Sequence, residues 1–320
     1  MLSKRAYLVS EGKFEIRTDD LQITPDQLLV KIKLCGLCNW ELNFFKGTGD
    51  YYRRYPLVVG HEWVGEVVEV GKNVKDFAVG EKVTVLPGAT FEGFAEYTAV
   101  NACECYKINK EISDENAMGE PLKCIATVLR SANAAFGDFG LIFGCGPMGL
   151  WCTQGLKGNY LAGLIAVDVD DEKLALAKKF GATHTVNPLK EDAQEVIRKI
   201  TNGNMCDFVI EGTGNPSLLG SCISFLKNAG RLVIMSSYET TCKELDLRPA
   251  IEKGISIKVA HPASTPNAAD DMRRAVSAIN CGTFSNDSMI THRFKLEDIE
   301  QAFKTLENKP KGYIKGIIEM

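Results

Sequence analysis

The chain of 320 residues lacks the charge imbalance that marks several protein classes, and its opening residues lead us to expect no leader segment. Its 37 Lys and Arg residues stand against 41 Asp and Glu residues, and the sequence pI is about 5.7. That balance excludes the basic signature of nucleic-acid binding and favours a small polar molecule as partner. The opening segment turns polar at Ser10, too early for the apolar core of a signal peptide. We therefore expect a cytoplasmic protein.

One uncharged stretch approaches the length of a membrane span. The residues from Phe139 to Leu156 carry no charge, but five glycines and Pro147 interrupt them. A buried strand that leads into a helix explains the same composition, whereas a transmembrane helix needs about 20 mostly apolar residues. We expect no association with a membrane.

Paired cysteine motifs of the structural-zinc kind are absent from the sequence. The eleven cysteines are scattered, and Cys35 and Cys38 form the one Cys-x-x-Cys spacing. We interpret Cys35 as a core residue, with a redox pair as the alternative. Histidine is also scarce, and among the four only His61 stands beside an acid, Glu62. The other three, which we interpret as structural, are His184, His261 and His292.

The pattern of apolar, polar and turn residues changes along the chain. From Met1 to about Lys110, short strand-like runs alternate with turn residues, which predicts a mostly antiparallel barrel or sandwich. From about Asp114 helical character begins, and buried strands then alternate with amphipathic helices, one of which is predicted to follow the strand ending at Glu211 and to run to Asn228. That alternation predicts βαβ units on a doubly wound parallel sheet. Since the chain exceeds the size of one core, we predict an α/β protein with two domains.

A glycine-rich turn lies between a predicted strand and a predicted helix. In the Gly-x-Gly-x-x-Gly pattern the first glycine permits a tight turn, the second admits a pyrophosphate, and the third lets the helix pack closely. The phosphates then face the helix N-terminus. The residues of this candidate dinucleotide site are Gly144, Gly146, Pro147, Met148 and Gly149.

An acid follows at about the 20-residue spacing that dinucleotide sites use. Asp168 ends the next predicted strand, where a carboxylate accepts ribose hydroxyls and repels a 2′-phosphate, which favours NAD over NADP. The alternative is that the glycines only turn the chain and Asp168 caps the next helix. Lys173 either reaches the adenosine ribose or is solvated. Residues after later strands either line the nicotinamide side or only form turns, and these are Gly212, Thr213 and Ser236.

Four side chains supply the donors of a catalytic zinc site. Such sites take three protein ligands from thiolate, imidazole and carboxylate and leave one position open. The candidate ligands, which we also expect to carry the catalysis, are Cys38, His61, Glu62 and Glu120. A His-Glu pair by itself is ordinarily a feature of a protein surface. Cys124, one helical turn after Glu120, is a rival ligand.

The motifs resemble those of the zinc-containing medium-chain alcohol dehydrogenases over nearly the whole chain. The signature is Gly60-His61-Glu62 with Gly65, Gly71 and Val74, and it is joined by Gly36 to Leu42, Gly93 to Tyr97, Gly119 to Leu122, Gly144 to Gly149, Asp168 and Glu211 to Gly214. The resemblance implies a GroES-like β-barrel catalytic domain at 1–133 and 266–320. It also implies a Rossmann NAD-binding domain at 134–265.

The sequence departs from the best-known members of that family. Glu120 stands where they have a second cysteine ligand, as in sorbitol-dehydrogenase-like and threonine-dehydrogenase-like enzymes, where the glutamate of Gly-His-Glu ligates or nearly does. The cysteine-rich lobe of the structural zinc is missing, so we expect one catalytic zinc per chain. Trp40 replaces the Ser or Thr that begins the usual proton relay, so the proton must leave by another route. Trp40, Tyr51 and Tyr52 either contact substrate or only pack.

The resemblance implies a hydride transfer between NAD and a secondary alcohol, which we expect to be a polyol, a sugar or a sugar derivative. Glu120 or Glu62 is the expected general base. Relatives form homodimers or homotetramers, and Ile255 to Val259 is the candidate contact edge. Two alternatives stay open: a zinc-free, NADPH-dependent reductase of the same fold, and an inactive cofactor-binding protein.

Overall fold

The computed structural model describes residues 1–48, 55–88, 91–158, 160–238, 240–242, 244–262 and 265–320. Tyr51 and Tyr52 lie outside these ranges. The chain divides into two compact units, Met1–Lys123 with Ala269–Met320, and Cys124–Ala268. The domain limits taken from the sequence stay a prediction.

The strands are β1 (Leu2–Ser10), β2 (Lys13–Asp20), β3 (Gln27–Gly36), β4 (Leu57–Val58), β5 (Trp63–Val70), β6 (Lys82–Val85), β7 (Tyr97–Asn101), β8 (Cys105–Ile108), β9 (Phe139–Phe143), β10 (Gly163–Val167), β11 (His184–Val186), β12 (Cys206–Glu211), β13 (Leu226–Ile234), β14 (Ser256–Val259), β15 (Ile290–Lys295) and β16 (Lys315–Glu319). The α-helices are α1 (Asn39–Phe45), α2 (Gly119–Ala132), α3 (Pro147–Leu156), α4 (Asp171–Lys179), α5 (Ala193–Ile200), α6 (Leu219–Ser224), α7 (Arg248–Lys253), α8 (Ala268–Asn280) and α9 (Ile299–Asn308).

The first unit is built on a sheet that is antiparallel apart from one pair. In the described residues this sheet has the order β15-β16-β3-β5-β6-β8, with β7 also paired to β3, and a smaller sheet has the order β2-β1-β4. Only β15 and β16 run parallel among these pairs. A cluster of rings from Phe14, Phe45, Phe94 and Phe303 fills the core between strands and helices. The mostly antiparallel sheet predicted from the sequence is thus confirmed.

The second unit contains a parallel sheet of order β11-β10-β9-β12-β13-β14 in the described residues. Its β9 is flanked by β10 on one side and β12 on the other, so the direction of winding reverses beside β9. Ligands of such sheets bind at the carboxyl ends of the strands at this reversal. The doubly wound parallel sheet is therefore confirmed, and the glycine-rich turn follows the strand at its switch point.

One predicted boundary was wrong. The sequence suggested a helix that continues to Asn228, but α6 ends at Ser224 and β13 begins at Leu226. The cause is tertiary, because Leu226 is buried and pairs with Cys206 of β12.

None of the helices in the described ranges combines the length and the apolar character that a membrane crossing requires.

Candidate active site

Two neighbouring strands bring the candidate zinc ligands together. Cys35 of β3 lies opposite Trp63 of β5, so the segment that leaves β3 meets the segment that enters β5. The backbone N–H of Gly36 donates to the carbonyl of Glu62 at 3.0 Å and locks this meeting point. Cys38, just after β3, therefore lies beside the two residues that precede β5.

The donor atoms of Cys38, His61 and Glu62 all lie within 4.8 Å of one another. Zinc bonds of about 2.0–2.3 Å place tetrahedral donors roughly 3.3–3.8 Å apart, so a small inward adjustment closes the triangle. Thiolate, imidazole and carboxylate are also the donor types that catalytic zinc sites combine. The residues present thus fit a zinc ion.

Glu41 orients the imidazole of His61. This carboxylate is fully buried on α1, and its Oε1 accepts from the backbone N–H groups of Gly60 (2.7 Å) and His61 (3.0 Å). The same oxygen lies 2.9 Å from His61 Nδ1, which leaves Nε2 as the ring nitrogen free to bind a metal. Glu41 lies within the motif from Gly36 to Leu42, but the motif alone assigns it no role. Its signal was an acid three residues after Cys38, on the first turn of a helix.

Burial and charge shift the pKa of both ligands. Burial raises the pKa of the Cys38 thiol, and the nearby Glu62 carboxylate raises it further. Burial lowers the pKa of His61, but the charges of Glu41 and Glu120 outweigh it, so that the pKa lies well above its ordinary value. Both groups hold their protons when no metal is bound, and a metal has to displace them.

Glu62 shares its carboxylate with a buried lysine. Lys315, the first residue of β16, pairs with Glu62 Oε2 and also donates to the carbonyl of Leu37 at 2.9 Å. A Cβ on Gly36 would lie 2.1 Å from the same Oε2, so a larger residue there would displace the carboxylate. Lys315 could not be predicted from the sequence, since 253 positions separate it from Glu62 and no local motif marks it.

Glu120 lies beside His61 but outside the group of three. The start of α2 is held in place because the Gly119 N–H donates to Thr84 Oγ1 at 3.0 Å. Glu120 Oε2 is then 3.7 Å from His61 Nε2, while Oε1 accepts from Lys123 at 3.0 Å. In the described residues the metal-competent group of three contains neither Glu120 nor Cys124.

Aromatic rings line one side of the ligands. The Trp40 ring lies 5.2 Å from the His61 ring at 83°. It also contacts Phe44 at 4.6 Å and Phe91 at 5.2 Å. An indole has no hydroxyl group to pass on a proton, so these rings offer shape and apolar contact.

Cys35 is buried in the core, and burial raises the pKa of its thiol well above the ordinary value. A high pKa disfavours the interpretation of Cys35 and Cys38 as a redox pair.

The three glycines of the predicted dinucleotide turn have different environments. Gly144 has φ +99°, a conformation that favours glycine. A Cβ on Gly149 would lie 1.9 Å from the Gly144 carbonyl, whereas a Cβ on Gly146 would meet no atom within 4 Å. Gly146 precedes α3 without a side-chain cap, and Pro147 and Met148 form the first turn of that helix. Open space before uncapped N–H groups suits a phosphate.

Asp168 lies directly after β10 and faces the glycine turn. Its Oδ2 accepts from the Cys145 N–H at 2.6 Å and its Oδ1 from the Asp170 N–H at 3.0 Å. Asp170, not Asp168, caps α4 by accepting from Glu172 and Lys173. The helix-cap alternative for Asp168 is therefore wrong. The Lys173 ammonium lies 3.9 Å from Asp170 Oδ2.

The loops after β12 and β13 adjoin the same turn. A Cβ on Gly144 would lie 2.9 Å from the Gly212 carbonyl carbon. Thr213 donates through its N–H to Glu211 Oε1 at 2.6 Å, and the Gly214 N–H donates to Ser236 Oγ at 3.0 Å. Gly212, Thr213 and Ser236 thus lie at the carboxyl ends of the sheet, where cofactors of this fold bind.

Known protein families match segments in both halves of the chain. Residues 24–110 match the family described as alcohol dehydrogenase GroES-like domain, and residues 147–279 match the family described as zinc-binding dehydrogenase. (R,R)-butanediol dehydrogenase from Bacillus subtilis is 29% identical over 330 residues, covering 92% of each chain. L-threonine 3-dehydrogenase from Burkholderia cenocepacia is 28% identical over 322 residues, again covering 92% of each.

A solved structure shows the same architecture. The crystal structure of 2R,3R-butanediol dehydrogenase from Bacillus subtilis has a TM-score of 0.88 and 28% identity, and the match covers 99% of each chain. Two domain families thus follow one another along this chain in the order that a whole dehydrogenase has. The chain belongs to the zinc-dependent medium-chain alcohol dehydrogenase family.

Proposed function

We propose that this oxidoreductase uses zinc to transfer a hydride between a polar secondary alcohol and NAD. The observation that carries the proposal is the grouping of Cys38, His61 and Glu62 donors within 4.8 Å. The Glu41 hydrogen bond to His61 supports it, since metal-binding imidazoles commonly donate their second nitrogen to a carboxylate.

The side chains around this centre have separate roles. Cys38, His61 and Glu62 would bind the zinc, and Glu41 keeps His61 Nε2 directed at it. A zinc ion there supplies Lewis acidity, which lowers the pKa of an alcohol bound to it. Lys315 holds one oxygen of Glu62 and restricts its movement.

The proton of the alcohol needs an acceptor among the acids of the site. Glu120 is our first choice, because its Oε2 is directed at His61 Nε2 at 3.7 Å. Glu62 is the second choice, since its Oε2 is already paired with Lys315. Trp40 has no group that accepts the proton, so the exit path differs from a Ser or Thr relay.

NAD is the proposed cofactor. Asp168, next to the glycine turn, would accept the ribose hydroxyls, and its charge would oppose the 2′-phosphate of NADP. Asp170 and Asp171 add negative charge nearby. The phosphates would bind in front of α3, where Gly146 leaves room. Lys173 and the loop residues Gly212, Thr213 and Ser236 are proposed to line the remainder of the site.

The proposed substrate is a polyol, a sugar or a sugar derivative. Two carboxylates, Glu62 and Glu120, stand near the zinc ligands in place of a second thiolate, and acids suit a substrate with several hydroxyl groups. The named relatives act on a diol and on threonine, which are both polar secondary alcohols. We propose one zinc per chain, a homodimer or homotetramer as the assembly, and neither nucleic acid nor membrane as a partner.

The test is a panel of polyols and sugars, assayed with NAD and with NADP on protein of known zinc content. The proposal requires turnover of at least one secondary alcohol, loss of that turnover when zinc is removed, and a preference for NAD. Turnover with NADPH by zinc-free protein would instead identify a reductase. Cofactor binding without turnover of any member would indicate an inactive binding protein.

A further inference from the structure

Lys123 is a buried cation beside the candidate metal centre. Its side chain lies on α2 one turn after Glu120 and is only 8% exposed. Lysine is rarely buried to this extent unless it is paired. Its position near the start of a helix is also unfavourable, since the helix dipole places positive charge there. A buried lysine at this position needs an electrostatic partner, and Glu120 supplies one.

Glu120 connects Lys123 to the proposed metal position. The Lys123 ammonium is 3.0 Å from Glu120 Oε1, and Glu120 Oε2 is 3.7 Å from His61 Nε2. Only the carboxyl group of Glu120 therefore separates the ammonium from His61 Nε2, the nitrogen that would bind the metal. At such close range inside a protein the positive charges of the ammonium and the metal would repel appreciably.

The charges of six groups at the site balance when one divalent ion is present. The negative groups are the Cys38 thiolate and the three carboxylates Glu41, Glu62 and Glu120, and the positive groups are Lys123 and Lys315. These six groups sum to two negative charges, which one zinc ion neutralises. With Lys123 removed, the same groups would carry three negative charges.

We propose that Lys123 is a positioning and charge-balancing residue that weakens the hold of the metal centre on its cation. It holds one oxygen of Glu120 and leaves the other beside His61, and its ammonium offsets one negative charge of the site. The inference rests on the proposed metal centre at Cys38, His61 and Glu62.

Two effects of removing the ammonium oppose each other. Loss of the Lys123 contact lets the Glu120 side chain move, which would weaken metal binding by about ten-fold at most if one rotamer-rich side chain has to be ordered again. Loss of a positive charge at close range strengthens binding by more, because the site is buried and poorly screened. We therefore expect tighter binding.

The test compares zinc affinity in the wild-type protein, Lys123→Met and Lys123→Arg by competition with a chromogenic chelator. Lys123→Met should bind zinc at least about ten-fold more tightly. Lys123→Arg, which keeps the charge, should stay within about three-fold of wild type. Lys107→Met is the matched control, since Lys107 is in the same unit but half-exposed and paired with Glu81, and its zinc affinity should not change.

Each result of these measurements either supports or overturns the inference about Lys123. Unchanged or weaker affinity in Lys123→Met overturns the inference, as does equal tightening in Lys123→Arg. If Lys123→Met fails to fold, Lys123→Gln is measured against the same criteria. A wild-type protein that binds no zinc refutes the proposed function itself, whereas zinc binding that ignores residue 123 refutes only this inference.

Discussion

Glu41 determines which nitrogen of His61 faces the metal position. The carboxylate accepts from two backbone N–H groups and lies 2.9 Å from Nδ1, so three contacts fix the ring. Its Oε2 is buried without a hydrogen bond, which concentrates the interaction on Oε1. A residue with such contacts affects metal binding without touching the metal.

We predict that Glu41→Gln weakens zinc binding by about 10- to 100-fold, the usual loss when the carboxylate behind a metal-binding histidine is removed. The amide keeps the shape of the side chain but loses the charge that favours the bound state. Chelator competition measures the change, and Glu81→Gln serves as the control, since Glu81 is in the same unit, is partly exposed and pairs with Lys107. Equal affinity in Glu41→Gln and wild type, at equal thermal stability, would show that Glu41 is only structural.

Some residues of the site could be predicted from local motifs, whereas others depend on tertiary contacts. Cys38, His61 and Glu62 could be predicted because each lies in a short local pattern at a strand boundary. Lys315 could not, since it reaches Glu62 from the far end of the chain. Lys123 stands next to a motif residue, yet its burial depends on how α2 packs, which no neighbouring residue reveals.

The element that defines the second unit is the β9–turn–α3 segment. Its glycines differ in what a side chain would meet. A Cβ on Gly149 would overlap the Gly144 carbonyl, whereas a Cβ on Gly146 would face open space. Alanine at position 149 should therefore reduce stability, whereas alanine at position 146 should reduce cofactor binding.

Gly149→Ala should lower the melting temperature by roughly 2 °C or more, since relieving an overpacked contact costs about 1–3 kcal/mol. Gly146→Ala should keep the melting temperature of the wild type and lose affinity for NAD, because the new methyl group enters the space meant for the phosphates. Thermal melts and NAD titrations on both variants measure the two effects. Unimpaired NAD binding by Gly146→Ala would place the cofactor elsewhere.

Elements with strong local patterns were predictable, and short ones were not. The buried strands of the parallel sheet have continuous apolar runs, and the sequence located them. Helix α1 escaped prediction because it has seven residues and no side-chain cap. Such helices are held by packing, here by Leu42 and Phe45 in the core, rather than by propensity. The α6–β13 boundary was misplaced for the same kind of reason.

On the scale of the whole molecule, β14 is the edge of the parallel sheet in the described residues. Ile257 is 46% exposed and Val259 is 59% exposed on this edge. An apolar edge strand invites pairing with another chain. We propose that this edge joins two copies in solution.

Ile257→Lys combined with Val259→Lys should convert the oligomer into monomers, because two lysines disfavour burial of the edge. Size-exclusion chromatography with light scattering gives the mass of each species. Leu189→Lys, which changes an exposed apolar residue away from β14, should leave the mass unaltered. An unchanged mass in the double variant would assign the contact to another surface.

The most direct test of the proposed metal centre is zinc content by elemental analysis after exhaustive dialysis. We expect one zinc per chain in the wild type and in Cys103→Ser, whose thiol is exposed and lies outside the group of three ligands. We expect almost none in Cys38→Ser and in His61→Gln. A wild-type chain without zinc, or a Cys38→Ser chain that keeps its full zinc, would contradict the account.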